Sequence, residues 1–191
     1  FDIAIHPDGS RAYVTNRLGN SVSVIDIATN TVIATVPTGG TDVRDLAITP
    51  DGSKIYIALF GSSAAAIFDT ATNTIIQTLR GISGPHAVAI SPDGSRVAIT
   101  NRSSFPGVTI FDTATETQVA RPGSVRFSEG AAYTPDGTRL YVTNIGDDDV
   151  TVFDTTTYAV ITRVPVGDAP IGIEIAEVPA DANLPIITLD A

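Results

Sequence analysis

The chain contains no cysteine, no methionine and a single lysine, Lys54. Without cysteine there is no disulfide framework, no thiol nucleophile and no thiolate metal site. Histidine occurs only twice, so a transition-metal centre would have to draw mainly on carboxylates. Methionine is missing even at position 1, and the expectation is a processed chain or a piece of a longer one. No run of about 18 apolar residues suggests a membrane span, and no basic-then-apolar leader opens the sequence. Basic residues number 11 against 21 acidic ones, a net charge of −10 that argues against broad nucleic-acid binding. There is no Gly-rich phosphate loop, His-Glu-x-x-His, Gly-x-Ser-x-Gly or EF-hand spacing, and no cofactor is expected.

What is present is a repeat. Pro135-Asp136-Gly137-Thr138-Arg139-Leu140-Tyr141-Val142-Thr143-Asn144 has counterparts beginning at Pro7, Pro50 and Pro92. The aspartates at 8, 51, 93 and 136 set steps of 43, 42 and 43 residues, a period that fits one propeller blade per repeat. Each unit reads as four short strands. An apolar segment precedes the Pro-Asp-Gly turn, in which Pro pre-sets φ, Asp caps backbone donors and Gly takes positive φ. The Tyr-Val-Thr-Asn strand follows, then a variable loop, a third strand, a polar turn such as Ala28-Thr29-Asn30, and a fourth strand. β-branched residues dominate and no segment keeps a 3.6-residue period, so the chain is all-β. Many strands are apolar on both faces, as expected of sheets sandwiched between sheets. Ala4, Ala47, Ala89 and Ala132 share one place in the first strand, where crowding at a central axis would require a small side chain.

These units resemble the YVTN β-propeller repeat of archaeal surface-layer proteins and exported bacterial proteins. The resemblance rests on the four Pro-Asp-Gly turns, Tyr13-Val14-Thr15-Asn16, Tyr141-Val142-Thr143-Asn144, Ile25 to Pro37 and Val164-Pro165-Val166-Gly167. It covers residues 1 to about 176. Repeat 2 departs from it with Leu59 and Phe60 where Asn is expected, and repeat 3 is degenerate from Arg121 to Glu129. The resemblance implies a propeller of four-stranded antiparallel blades and an exported setting: cell surface, extracellular or periplasmic. The repeats fall at about 1–40, 41–82, 83–126 and 127–168. A surplus first strand lies within 169–176, and 177–191 is a tail or linker. Four units and a surplus strand point to a segment of a larger, about seven-bladed ring, or to a ring completed by another chain.

In an up-and-down blade, alternate connections share one face. The Pro-Asp-Gly and Ala-Thr-Asn turns are nearly uniform, whereas the connections on the other face differ in every repeat, and specificity on repeat scaffolds sits on diversified loops. Aligning the repeats puts Phe1, Arg44, His86, Glu129 and Ile171 in one column, with Asp2 and Asp45 in the next. Arg44, Asp45, His86 and Glu129 would then ring the mouth of a central channel, with His86 and Glu129 as candidate acid/base groups and arginine as an anion binder. Ordinary salt bridging among solvated groups explains the same composition. Arg17, Arg102 and Arg126 fall on that face with Phe60, Phe105 and Phe127, and arginine among aromatics is the composition of protein-contact hot spots. The expected partner is a protein or the remainder of the propeller, in the same or another chain.

Asp147 and Asp149 in Asp147-Asp148-Asp149 are candidate oxygen ligands for Ca²⁺, although adjacent loop residues rarely converge on one ion. Asn101-Arg102-Ser103 is a lone glycosylation sequon. The leading functional expectation is a non-catalytic structural or protein-binding scaffold. The alternative is an enzyme or redox-partner propeller, lyase-like, with its site at the channel mouth. Nucleic-acid binding through Arg17, Arg44, Arg102 and Arg126 is opposed by the net charge.

Overall fold

The repeated turn is closed by its own side chains. Asp51, Asp93 and Asp136 each accept, through Oδ1, the backbone N–H two residues on, in Ser53, Ser95 and Thr138 at 3.0 Å. The same oxygens accept the hydroxyls of Thr49 (2.6 Å), Ser91 (2.6 Å) and Thr134 (2.5 Å). Gly52, Gly94 and Gly137 supply the left-handed residue, at φ 75°, 73° and 70°. The opposite hairpin of each unit is closed likewise: Asp26, Asp69, Asp112 and Asp154 cap the amides of Thr29, Thr72, Thr115 and Thr157. Hydrogen bonding to these carboxylates holds all of them below the ordinary aspartate value.

The structure is a computed structural model and describes residues 1–103, 105–123, 125–175 and 187–188. Among these, four sheets each hold four antiparallel strands in chain order. The first has β1 (Ile3–Ile5), β2 (Arg11–Asn16), β3 (Ser21–Asp26) and β4 (Thr31–Pro37). The second has β5 (Val43–Ile48), β6 (Lys54–Leu59), β7 (Ala64–Asp69) and β8 (Thr74–Leu79). The third has β9 (Pro85–Ile90), β10 (Arg96–Asn101), β11 (Val108–Asp112) and β12 (Gln118–Ala120). The fourth has β13 (Ser128–Tyr133), β14 (Arg139–Asn144), β15 (Asp149–Asp154) and β16 (Val160–Pro165). These are the up-and-down blades of a β-propeller. Within the expected surplus strand, β17 (Glu174–Ile175) pairs with β18 (Ile187–Thr188); the rest of the proposed tail lies outside the described residues. No helix among the described residues is long and apolar enough to cross a membrane.

The chain forms two compact units, Phe1–Val88 and Ala89–Ala191. In the first, Tyr13, Val22 and Val24 pack with Leu46, Ile55, Ile57 and Phe68, so one apolar core joins two blades. Tyr13 and Phe68 meet edge to face at 5.7 Å, and both are fully buried. The second unit has its own core of Ala98, Val108, Ile110, Leu140, Val142 and Phe153. Three of the four alanines in the column also have a local reason to be small. Ala4, Ala47 and Ala132 lie directly opposite Tyr13, Tyr56 and Tyr141 across the first hairpin, so a small side chain leaves room on the face where the ring stands.

The Asn that ends the second strand clasps it to the third. Asn16 Nδ2 donates to the hydroxyls of Ser21 and Ser23, and Asn101 Nδ2 to Pro106 O and Thr109 Oγ1. Asn144 Nδ2 donates to Asp149 Oδ1 (2.6 Å) and Thr151 Oγ1 (2.9 Å), while its Oδ1 accepts from Ser128 Oγ (3.0 Å). Asn101 is fully buried and its amide is committed, so the folded protein does not present the sequon for glycosylation. In the second blade the corresponding residues are Val43, Leu59, Ala64 and Ala66, all buried. The polar clasp has been exchanged as a whole for an apolar one, which avoids stranding any buried polar group. The preceding Thr ties blade to blade: Thr100 Oγ1 donates to Glu129 O, while Thr143 Oγ1 accepts from Gly130 N and donates to Ile171 O.

Candidate functional site

The diversified residues are positioned by bulges that an alternating pattern does not display. Pairing of β5 with β6 slips between Val43 and Leu46, leaving Arg44 and Asp45 in the irregularity. Pairing of β13 with β14 slips between Ser128 and Ala131, which does the same for Glu129 and Gly130. A bulge bends a strand and re-aims its side chains, a common device beside binding sites. Immediately before each bulge stands a left-handed residue, Asp42 at φ 54° and Phe127 at φ 50°. For a bulky aromatic residue that conformation stores strain.

In the first unit Arg44 is the hub. Its Nη2 donates to Asp42 Oδ2 at 3.0 Å, and its Nη1 stands 3.5 Å from His86 Nε2. The guanidinium lies 4.7 Å from the centre of the Phe60 ring and 5.4 Å from that of Phe1. His86, buried, meets the edges of both rings, at 5.8 Å from Phe1 and 6.5 Å from Phe60. Phe60 opens a 3₁₀ turn, Phe60–Ser62, which carries its ring to this place. Arg17 Nε donates to Asp42 Oδ1 at 2.6 Å, so Asp42 bridges two arginines. The Arg17 hydrogen bond is the leading cause holding the Asp42 carboxyl below its ordinary value, with Arg44 adding to it against the effect of burial. Asp42 was not singled out from the sequence; its signal was a charged residue beside Gly39-Gly40 in a loop unlike its counterparts.

Asp45 is a brace. Its Oδ2 accepts the Val88 N–H at 2.7 Å, and one blade earlier Asp2 Oδ2 accepts that of Leu46 at 3.4 Å. Burial of the Asp45 carboxyl, then the neighbouring Asp2, push its pKa well above the carboxylate range; the Val88 and Leu46 amides oppose this. Asp45 therefore keeps its proton at higher pH than a solvated aspartate.

In the second unit Arg102 Nε and Glu129 Oε1 form an ion pair at 2.6 Å, with the Glu129 side chain 2% exposed. Arg126 lies 6.0 Å over the Phe105 ring, and Phe105 and Phe127 are 60% and 50% exposed. Asp147 and Asp149 turn to a common cation, Arg163 Nη1, at 3.5 and 2.9 Å, and Asp149 Oδ1 is held by Asn144. Among the described residues no three His, Asp or Glu side chains cluster as metal ligands.

The geometry brings Arg17, Arg44, Phe60 and His86 together with Asp45 braced beside them, and separately Arg102 with Glu129 and Arg126 with Phe105. Chemically, a general base needs an available lone pair within reach of a substrate proton. The Nε2 of His86 faces a guanidinium, and Glu129 is engaged by Arg102. The arrangement suits recognition, with charge held in place by neighbours and aromatic faces left outward.

The fold and these loops define a β-propeller protein. The family model described as "Lactonase, 7-bladed beta-propeller" matches residues 2–75, a stretch that includes Arg17, Arg44, Asp45 and Phe60. Among solved structures the chain is similar to Kuenenia stuttgartiensis hydrazine synthase, with 22% identity and a TM-score of 0.82. That match covers 93% of this chain and 52% of the other, so this chain spans about half the length of that one. No curated protein matches. At 22% identity the structural likeness shows the fold alone.

Proposed function

We propose that the chain is a non-catalytic, exported propeller module that binds a protein through its variable loops. The observation that carries this is the Arg126–Phe105 pair with Phe127 beside it in sequence, outward-facing arginine and aromatic groups. The exported setting is supported by the resemblance of the repeats to surface-layer and exported propellers. A larger ring is supported by β1, where Ile3 is 57% exposed although its counterparts Leu46 and Val88 are buried. An apolar side chain at an inner-strand position finds cover against a further blade.

The test places a photoreactive residue at position 105 in the producing cells, with position 30, on a uniform turn, as control. The expected result is a discrete protein adduct at 105 that Arg126→Ala abolishes. No adduct at 105, or equal adducts at both positions, refutes the proposal. Arg102→Ala is unsuitable here, because it removes the ion-pair partner of the buried Glu129 and would lower stability.

A second reading is favoured by the lactonase match: hydrolysis of a small lactone at the Arg44–His86 cluster. It requires that a purified sample hydrolyse simple γ- and δ-lactones and that His86→Ala abolish the turnover. Hydrolysis indifferent to His86→Ala, or none, rejects it.

A further inference from the structure

The uniform-turn face carries a cavity of about 550 Å³ between the third and fourth sheets. It is lined by Pro92, Asp93, Arg96, Tyr133, Asp136 and Tyr158, among others. The corresponding groove in the first unit is closed. There the His6 ring lies so near Gly52 that a Cβ on that glycine would come 2.5 Å from Nε2. Arg11 Nη1 also reaches across to donate to Thr70 O at 3.0 Å. Between the third and fourth sheets neither of these two contacts is made, and what crosses is a hydrogen bond between Arg96 and the Tyr158 phenol. Arg96, the counterpart of Arg11, turns to Asp112 Oδ2 (2.7 Å) and Ser95 O (2.8 Å) of its own blade. A Cβ on Gly137, the counterpart of Gly52, would meet only Pro92 Cδ at 3.7 Å.

Two substitutions in otherwise repeated positions furnish this groove. Tyr133 stands where the other repeats have Ile5, Ile48 and Ile90, and Tyr158 where they have Asn30, Asn73 and Glu116. Tyr133 is 8% exposed, and its hydroxyl has no hydrogen-bond partner. Burial pushes the phenols of Tyr133 and Tyr158 up, with Arg96 opposing in both. A buried phenol that bonds nothing is unfavourable by itself, and a ligand hydroxyl would relieve it.

The lining narrows the ligand. An anion would face Asp93 and Asp136, both held ionised by their turns. An organic cation would face Arg96. A neutral ring of hydroxyls that donate and accept, with an apolar C–H face for the tyrosines and prolines, serves every group present. The volume lies within the range of small-molecule sites. We propose that this inter-blade groove is a binding site for a neutral sugar, with the Tyr133 hydroxyl and the Arg96 guanidinium as hydrogen-bond partners and Tyr158 as a stacking face.

The experiment titrates the intact protein, by ligand-observed NMR and calorimetry, with glucose, galactose, mannose and their disaccharides. Glucuronate and glucosamine serve as charged probes of like shape. A neutral sugar should bind with a Kd on the order of 1 mM, at least about tenfold tighter than glucuronate. Tyr133→Phe should weaken that binding about fivefold to tenfold while leaving Tm unchanged or raised, since the hydroxyl it removes bonds nothing in the free protein. Tyr158→Ser should weaken binding independently. Failure of every neutral sugar, preference for glucuronate, or binding of glucosamine alone overturns the assignment. A fall in Tm for Tyr133→Phe overturns it too, by showing that the hydroxyl is already bonded.

Discussion

Removing the clasp of the fourth blade should cost far more than its size suggests. Asn144, Ser128 and Thr151 are fully buried and Asp149 nearly so. Asn144→Ala deletes three hydrogen bonds, of 2.6, 2.9 and 3.0 Å. Thr151 retains a long contact to Asp149 at 3.4 Å, and Asp149 retains Arg163. The Ser128 hydroxyl and Asp149 Oδ1 are left without the partner that satisfied them, at about 1–3 kcal/mol each. The net loss is about 3 kcal/mol, or a fall in Tm of about 6–12 °C for a chain of this size. Urea unfolding followed by far-UV circular dichroism measures it.

The second blade supplies the decisive control. Changing Ser128→Val, Asn144→Leu, Asp149→Ala and Thr151→Ala together reproduces Val43, Leu59, Ala64 and Ala66. Within the clasp both sides of each hydrogen bond then become apolar, and Arg163, which loses Asp149, is partly exposed and keeps Asp147. The quadruple variant should therefore lie within about 1 kcal/mol of the parent and above Asn144→Leu alone. If the quadruple variant is less stable than the single one, or if Asn144→Ala costs under about 1 kcal/mol, the clasp does not work as described.

Three further outcomes follow from the same structure. The turn aspartates have folded pKa values below the unfolded one, Asp8 falling to about 2, so their contribution is complete above about pH 4 and lost as pH falls through the lowered values; Tm should hold from pH 7 to 5 and drop below 4, less steeply in Asp93→Asn/Asp136→Asn. Asp45 has the opposite sign, its raised folded value making its contribution full at low pH and lost as pH rises. Asp45→Asn, whose carbonyl can still accept the Val88 amide, should gain stability relative to the parent between pH 4 and 8, and a pH-independent loss would contradict this. Phe127→Gly removes a left-handed aromatic residue and should leave stability unchanged or raise it by about 1 kcal/mol, while weakening the adduct formed at position 105; a loss of Tm would show that packing against Gly146 outweighs the backbone strain.

Much of the architecture was legible because it is written four times. The Pro-Asp-Gly turns and β-branched strands have purely local causes, and the strands they bound are the ones observed. The site was legible only as a column: the spacing places Arg44 beside His86, but the slipped pairing at Arg44-Asp45 leaves no trace in an alternating pattern. Asp45 reads as one more charge at the channel mouth until its carboxyl is found accepting the Val88 N–H. Asp147 and Asp149 look like oxygen ligands until Arg163 is placed between them. The groove is hidden in the sequence for a different reason. Tyr133 and Tyr158 break the repeat on the face whose uniformity argued against specificity, and single substitutions in a repeat resemble drift.

The threonine ties also bear on how the chain emerges during synthesis. Thr100 reaches a partner 29 residues later and Thr143 one 28 residues later, so neither bond waits for a distant part of the sequence. A ribosome adding about 5–20 residues per second supplies each such partner within a few seconds. The third and fourth blades can therefore be latched as soon as the next inner strand leaves the exit tunnel. Over that stretch folding can advance as a front moving with the chain, whereas the first two blades, which share one core, must be completed together.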